Sequence, residues 1–310
     1  VKPVTSKAAN VTAGTKAETP IATAAENAIS TLDVYVFGAK TENGDYTFQE
    51  RFAYRADPKD KLPKGATELQ LNTTGADGKE TTGLLKLKKG LFVKLYCIAN
   101  DTTLVDPADS KTVKPADFTP ITFAEGEDGN PKLATEGVPQ ESVFTTWHTR
   151  LFTATAKGDT LATPLAMAGA YTTPIDLTSF DNSARVQLGF KLTRMVARFD
   201  VENDASKSKF TVESVSMGNG RTGATYFPVK VLGTGPAADG DLITYPVRDY
   251  VADQTTASPK GTGVFYSYPS PVGDDGYLIL SGTYAANKTD NIPVTYRVPF
   301  KPAGNETGNY

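Results

Sequence analysis

The sequence predicts an all-β protein built as two tandem β-sandwiches, and three observations carry that expectation. Apolar residues recur at period two through many short stretches. Gly 27 and Pro 20, with abundant Thr, favour short strands and turns over helix in a chain of 310 residues. The third is a fault in the alternation between Arg185 and Asn203. There Val186, Leu188, Phe190 and Leu192 alternate with Arg185, Gln187, Gly189 and Lys191, but beyond Thr193 the apolar parity passes to Met195, Ala197, Phe199 and Val201. A slip of one residue sends every side chain to the other face, so this strand cannot serve one buried surface along its whole length. A bulge near Thr193–Arg194 is one explanation. The other, which the rest of the chain favours, is that the chain leaves one core there and enters a second. Leu188, Phe190 and Leu192 then face the first core and Ala197, Phe199 and Val201 the second.

Two domains also suit the length. The expected division is an N-terminal segment over 1–28, a first sandwich over 29–193 and a second over 194–310. The first segment is rich in Ala, Thr and Lys and thin in apolar residues, which favours flexibility unless it pairs with something else. From Ile29, the alternation of Leu32, Val34 and Val36 with Asp33, Tyr35 and Phe37 predicts a strand apolar on both faces. The turn GAKTENGD and then Tyr46, Phe48 and Phe52 predict a hairpin. Leu69 and Leu71 mark a further strand, and Leu85–Leu87 with Leu91–Asn100 another pair. Between Asp101 and Gly137 a short helix at Pro107–Val113 and a strand at Ile121–Phe123 are expected. Val143, Trp147 and Leu151 at i, i+4 and i+8 predict a short helix in ESVFTTWHTRLF. Leu165–Tyr171 reads as a strand of small residues, followed by a loop to Asn182.

The second half is a run of strands that opens with Phe210, Val212 and Val215. It continues with Tyr226–Leu232, Leu242–Val247, Val264–Tyr268 and Tyr277–Tyr284. Ile292, Val294, Tyr296, Val298 and Phe300 form the last strand, and Pro293 and Pro299 within it predict an edge position.

Composition excludes several function classes. A net charge of −3 and a pI near 5.4 give no basic footprint for nucleic acid. No apolar run reaches membrane-helix length, and no charged-then-apolar leader is present, so the expectation is a cytosolic protein or a mature exported one. The single His148 leaves no His-pair metal site, and no nucleophile motif accompanies it, so a half-exposed residue beside Trp147 is expected. Acidic clusters at Glu125–Asn130 and Gly273–Gly276 lack calcium-loop spacing and read as solvated turns. Lone Cys97, inside a strand pattern, reads as a buried structural thiol. Asn10, Asn72, Asn100, Asn287 and Asn305 head NxT matches of the kind chance supplies in a Thr-rich chain. No catalytic residue and no cofactor or metal ligand set emerges.

Four stretches in order carry a family resemblance: AENAISTLDVYVF (Ala25–Phe37), GLFVKLYCIAN (Gly90–Asn100), LAMAGAY (Leu165–Tyr171) and LTRMVARFDVEN (Leu192–Asn203). In this order the chain resembles the fimbrillins, the FimA-type subunits of Bacteroidales fimbriae (type V pili). The resemblance implies two transthyretin-like Greek-key β-sandwich domains, with short helices in the first. It implies export as a lipidated precursor and an outer-membrane, cell-surface location. It also implies cleavage of an N-terminal strand, followed by insertion of a strand from a neighbouring subunit into the groove left behind. The processing point would fall after Lys16, before Ala17, where the family more often has Arg; residues 1–16, if retained, would occupy the groove. The domain junction would comprise Thr193, Arg194 and Arg198, the two arginines fixing the interface between the halves or forming a solvated ion-paired face. The family continues past the last strand with a donor segment, whereas this sequence stops at NETGNY. Expected partners are other fimbrial subunits. A second reading is a tip or accessory adhesin, or a surface lipoprotein, in which Tyr245, Tyr250, Tyr266 and Tyr268 hold a glycan or a host protein.

Overall fold

A computed structural model of the chain describes residues 2–3, 23–63, 65–74, 80–108, 111–113, 124–125, 131–132, 140–152, 161–179, 187–232, 241–250, 260–287 and 290–300. The protein is all-β, with several sheets and one-turn helices at Ala24–Asn27, Glu141–Phe144 and Ala205–Ser208 among these residues. The last of the three lies in the second half, where no helix was expected.

The central sheet has six strands in the order Thr193–Arg194, Met167–Asp176, Phe92–Ala99, Thr31–Ala39, Thr47–Arg55 and Ala66–Glu68. Its pairs are antiparallel except the last, which is parallel. Both faces are buried, as the two-sided apolar pattern of Leu32–Phe37 requires. Leu32, Val34, Val36, Leu95, Cys97 and Met167 look to one side, and Tyr35, Phe37, Tyr96, Ile98 and Ala168 to the other.

The second side meets a five-stranded sheet ordered Val229–Val231, Ala224–Tyr226, His148–Thr149, Leu104–Asp106, Lys111–Val113. Two of these strands come from the half expected to form the second sandwich. They cross back because Tyr226 and Phe227 need apolar cover: Phe227 lies 4.9 Å from the Tyr96 ring and stacks 5.4 Å from Phe144. The rest of that half packs the four-stranded sheet Arg248–Asp249, Phe210–Gly218, Tyr277–Ala285, Asn291–Pro299 against the pair Ala197–Asp204 and Lys260–Ser267. A single apolar cluster therefore runs from Tyr35, Phe37 and Phe144 through Met195 to Phe210, Val215, Met217 and Phe265.

The break in alternation at Thr193 has a geometric origin. Thr193–Arg194 is the outermost strand of the central sheet, paired with Ala168 and Met167. Before it, Leu188, Phe190 and Leu192 lie in the cluster on one face of the sheet. After it, Met195 and Val201 lie in the cluster on the other face, and Phe199 packs against that cluster. The chain passes round the sheet edge, so the buried parity changes without a bulge.

Several local expectations are corrected. Lys111–Val113 is a strand rather than part of a helix, because it pairs with Leu104–Asp106. The helix at Glu141 stops at Phe144, since Trp147 and His148 are drawn into the five-stranded sheet region. Leu85–Leu87 forms no strand; the hairpin partner of Leu71–Thr74 is Glu80–Gly83. The strand from Met167 runs on through Pro174 to Asp176 instead of turning into a loop. The strand expected at Ile121–Phe123 falls outside the described residues.

The N-terminal strap and the groove beside it

Among the described residues, the apolar face of the central sheet that carries Leu32 and Val34 is covered by two separate strand pieces. One is the hairpin Leu71–Thr74 with Glu80–Gly83; the other is Gly189–Phe190, with Lys2–Pro3 paired to it in parallel. Lys2–Pro3 runs alongside Glu80–Gly83 as well, and so occupies the slot between the two pieces. Beneath this layer is a small apolar pocket of about 20 Å³, lined by residues including Leu32, Val34, Leu69, Leu71, Phe190 and Leu192. A backbone added here finds hydrogen-bonding partners at its edges and hydrocarbon beneath it, the two conditions for strand addition.

Ahead of the first long strand of the central sheet the chain forms a strap, Thr23 to Thr31, that side chains from elsewhere hold. Thr23 caps the Ala24–Asn27 turn: its hydroxyl accepts from the Glu26 N–H, and its own N–H donates to the Glu26 carboxylate at 2.7 Å. That carboxylate is 2 % exposed. Arg198 donates to both its oxygens at 2.9 and 2.8 Å, and the Tyr266 hydroxyl donates at 2.6 Å. Burial alone pushes the Glu26 carboxyl up; the Tyr266 and Thr23 hydrogen bonds and the Arg198 charge outweigh it and hold the group below its ordinary value. Arg194 donates to the Glu26 carbonyl at 3.3 Å and to the Asn27 side chain. Asn100 closes the far end of the strap. From a left-handed backbone (φ 58°) its Oδ1 accepts from the Ser30 and Thr31 N–H groups, and its Nδ2 donates to the Ala28 and Leu165 carbonyls.

The structure thus brings Arg194 and Arg198 together around Glu26, whereas Thr193 pairs with Ala168 in the central sheet. Both arginines grip the strap, and Arg198 is ion-paired with Glu26 and with Asp200, the latter at 2.6 Å. Lys16 and Ala17 lie outside the described residues. Glu26 and Asn100 escaped the sequence reading. The Thr23–Glu26 spacing is a capping-box signal that was available, but nothing in the sequence shows that Arg198 and Tyr266 converge on it across 172 and 240 positions.

Other singled-out residues are spent on packing. His148 is buried rather than half-exposed, with Nδ1 2.7 Å from the Thr149 carbonyl, because its strand lies inside the five-stranded sheet. Tyr245, Tyr266 and Tyr268 are buried, and Tyr250 packs against the large cluster. The Gly273–Gly276 turn is not simply solvated: Asp274 is buried and receives bonds from Arg221 at 2.5 and 2.8 Å. Most of Glu125–Asn130 lies outside the described residues. Cys97 is buried, and burial pushes its thiol well above the ordinary range. Among the described residues no group of three or more His, Cys, Asp or Glu side chains is placed to hold a metal ion. No described helix is long and apolar enough to cross a membrane. No family model, no curated protein and no solved structure matches the chain.

Proposed function

We propose that this protein is a structural subunit of a bacterial surface fimbria, assembled by strand exchange once its N-terminal strand is cut away. The observation that carries the reading is the position of Lys2–Pro3. It is a short strand between two pieces of the covering layer, above an apolar pocket, paired in parallel with Gly189–Phe190 and running alongside Glu80–Gly83. A strand so placed covers a hydrophobic face that a second subunit's strand would cover equally well, and removing it leaves the edge of Gly189–Phe190 without its ladder partner. A cut after Lys16 would free it. Other copies of such subunits are the partners, and the outer surface of the cell, reached as a lipidated precursor, is the location.

The test is limited trypsin digestion followed by light scattering on a sizing column, performed on protein with an intact C-terminus. The expected result is a clip near Lys16, loss of the N-terminal fragment, and conversion of the clipped protein to a ladder of oligomers. Clipped protein that remains monomeric at high concentration overturns the stalk reading and points to a tip or accessory role. Resistance at Lys16 under conditions that cut other exposed lysines overturns processing at this site.

A further inference from the structure

Glu26 is a buried carboxylate on a one-turn helix, and a single turn has little stability of its own. What holds it is tertiary. Arg198, in Ala197–Asp204, and Tyr266, in Lys260–Ser267, come from two neighbouring antiparallel strands and converge on the one carboxylate. Their register places Arg198 directly opposite Tyr266. The pair therefore forms a preformed fork on one face of a two-stranded ribbon, and Glu26 is inserted into it. Arg194, in an outer strand of the central sheet, and Asn100, just past the end of Phe92–Ala99, add bonds to the strap backbone. Among the described residues, all of these contacts are made with Thr23 or with residues after it.

We propose that Glu26 is a fixed anchor: it clamps Thr23–Thr31 to the body whether or not the residues before Thr23 remain attached. The clamp makes Thr23 the boundary between a part of the chain that can be exchanged and a part that stays. The inference builds on the reading of a removable N-terminal strand, for which it supplies the stopping point. Without a clamp, loss of the first strand would let fraying spread into Thr31–Ala39, the middle of the central sheet. With it, the new N-terminus left by a cut after Lys16 is tethered a few residues upstream of the anchor.

Hydrogen exchange read by mass spectrometry tests the anchor on the intact chain and on the trypsin-clipped chain. In the unclipped protein, peptides spanning 23–31 are expected to be protected. Glu26→Gln, which keeps the shape and loses the charge, is expected to speed their exchange by about tenfold or more, the scale of a lost hydrogen bond to a charged group. Peptides from Phe92–Ala99 should be unchanged in that variant. Tyr266→Phe, which removes one donor, should give a smaller increase in the same peptides. Clipping the wild type should leave 23–31 protected, whereas clipping Glu26→Gln should raise exchange into Thr31–Ala39. Equal protection of 23–31 in wild type and Glu26→Gln overturns the anchor. Loss of that protection on clipping the wild type overturns it too, because the strap would then depend on the upstream strand. Failure of the clipped protein to oligomerise bears only on the fimbrial reading and leaves the exchange result standing.

Discussion

At the scale of single residues the molecule turns on a few buried polar groups whose partners lie far away in sequence. Glu26 has a definite pH signature. Its carboxyl is held below the ordinary value of 4.5 in the folded protein. The stability it contributes is therefore fully present above that ordinary value, and is lost as pH falls through the lower, folded value. Asp101 is pushed the other way, by burial, despite the Tyr226 hydroxyl and Thr103 N–H bonded to it. Its contribution is lost as pH rises, so the two oppose each other. Subtracting the Glu26→Gln profile from wild type isolates the Glu26 part. Denaturant melts from neutral to strongly acid pH should show the difference shrinking towards zero at the acid end. Arg198→Ala should be worse than Glu26→Gln at neutral pH, by up to about 3 kcal/mol, because it leaves a buried carboxylate without its charge partner.

At the scale of elements, three breaks in alternation arise from different causes. The strand Thr47–Arg55 carries an irregularity between Val36↔Glu50 and Phe37↔Phe48, with Gln49 as the extra residue. As a result Tyr46 and Phe48 face one core while Phe52 faces the other. In Phe210–Gly218 the register shifts between Val212 and Ser214, which is why Val212 and Val215, three apart, share a face. The third break, at Thr193, is a passage round a sheet edge. Only the first two are bulges, and sequence parity alone does not distinguish the cases.

The terminal strand Asn291–Pro299 lies at the edge of its sheet, as its prolines require. Ile292, Tyr296 and Val298 are exposed on it, since the opposing Ala197–Asp204 and Lys260–Ser267 ribbon is only two strands wide. Pro293 and Pro299 cannot donate to a further strand, and that protects an apolar edge against pairing. Replacing both with valine should leave the melting midpoint of the monomer within a few degrees, about 1 kcal/mol of stability. It should also produce concentration-dependent association by sedimentation. A variant as monomeric as wild type would show that the prolines have no protective role.

At the scale of the whole molecule, one apolar cluster joins both halves, and cooperativity should follow from it. Phe144 is almost fully buried, 5.0 Å from Tyr35, 4.9 Å from Phe37 and 5.4 Å from both Trp147 and Phe227. It touches the central sheet on one side and the returning segment on the other. Calorimetry should give one transition for the described body, and Phe144→Ala should lower it as a unit by about 3–5 kcal/mol. Two separable transitions, with only one moved by the variant, would show that the halves fold independently.

The sequence by itself determined the all-β class, most strand positions, the edge placement of Asn291–Pro299 and the presence of a structural discontinuity at Thr193. These are local matters: period-two alternation, turn residues and proline chemistry act over a few positions. What only the tertiary structure decided is where the surfaces meet. It sends Ala224–Tyr226 back to pair with His148, buries Tyr245, Tyr266 and Tyr268, three of the four tyrosines expected to line a binding surface, and gathers Arg194, Arg198 and Tyr266 on Glu26. Those contacts depend on which faces come together after the chain has folded across hundreds of positions, and alternation within one strand carries no record of the partner on the far side of the core.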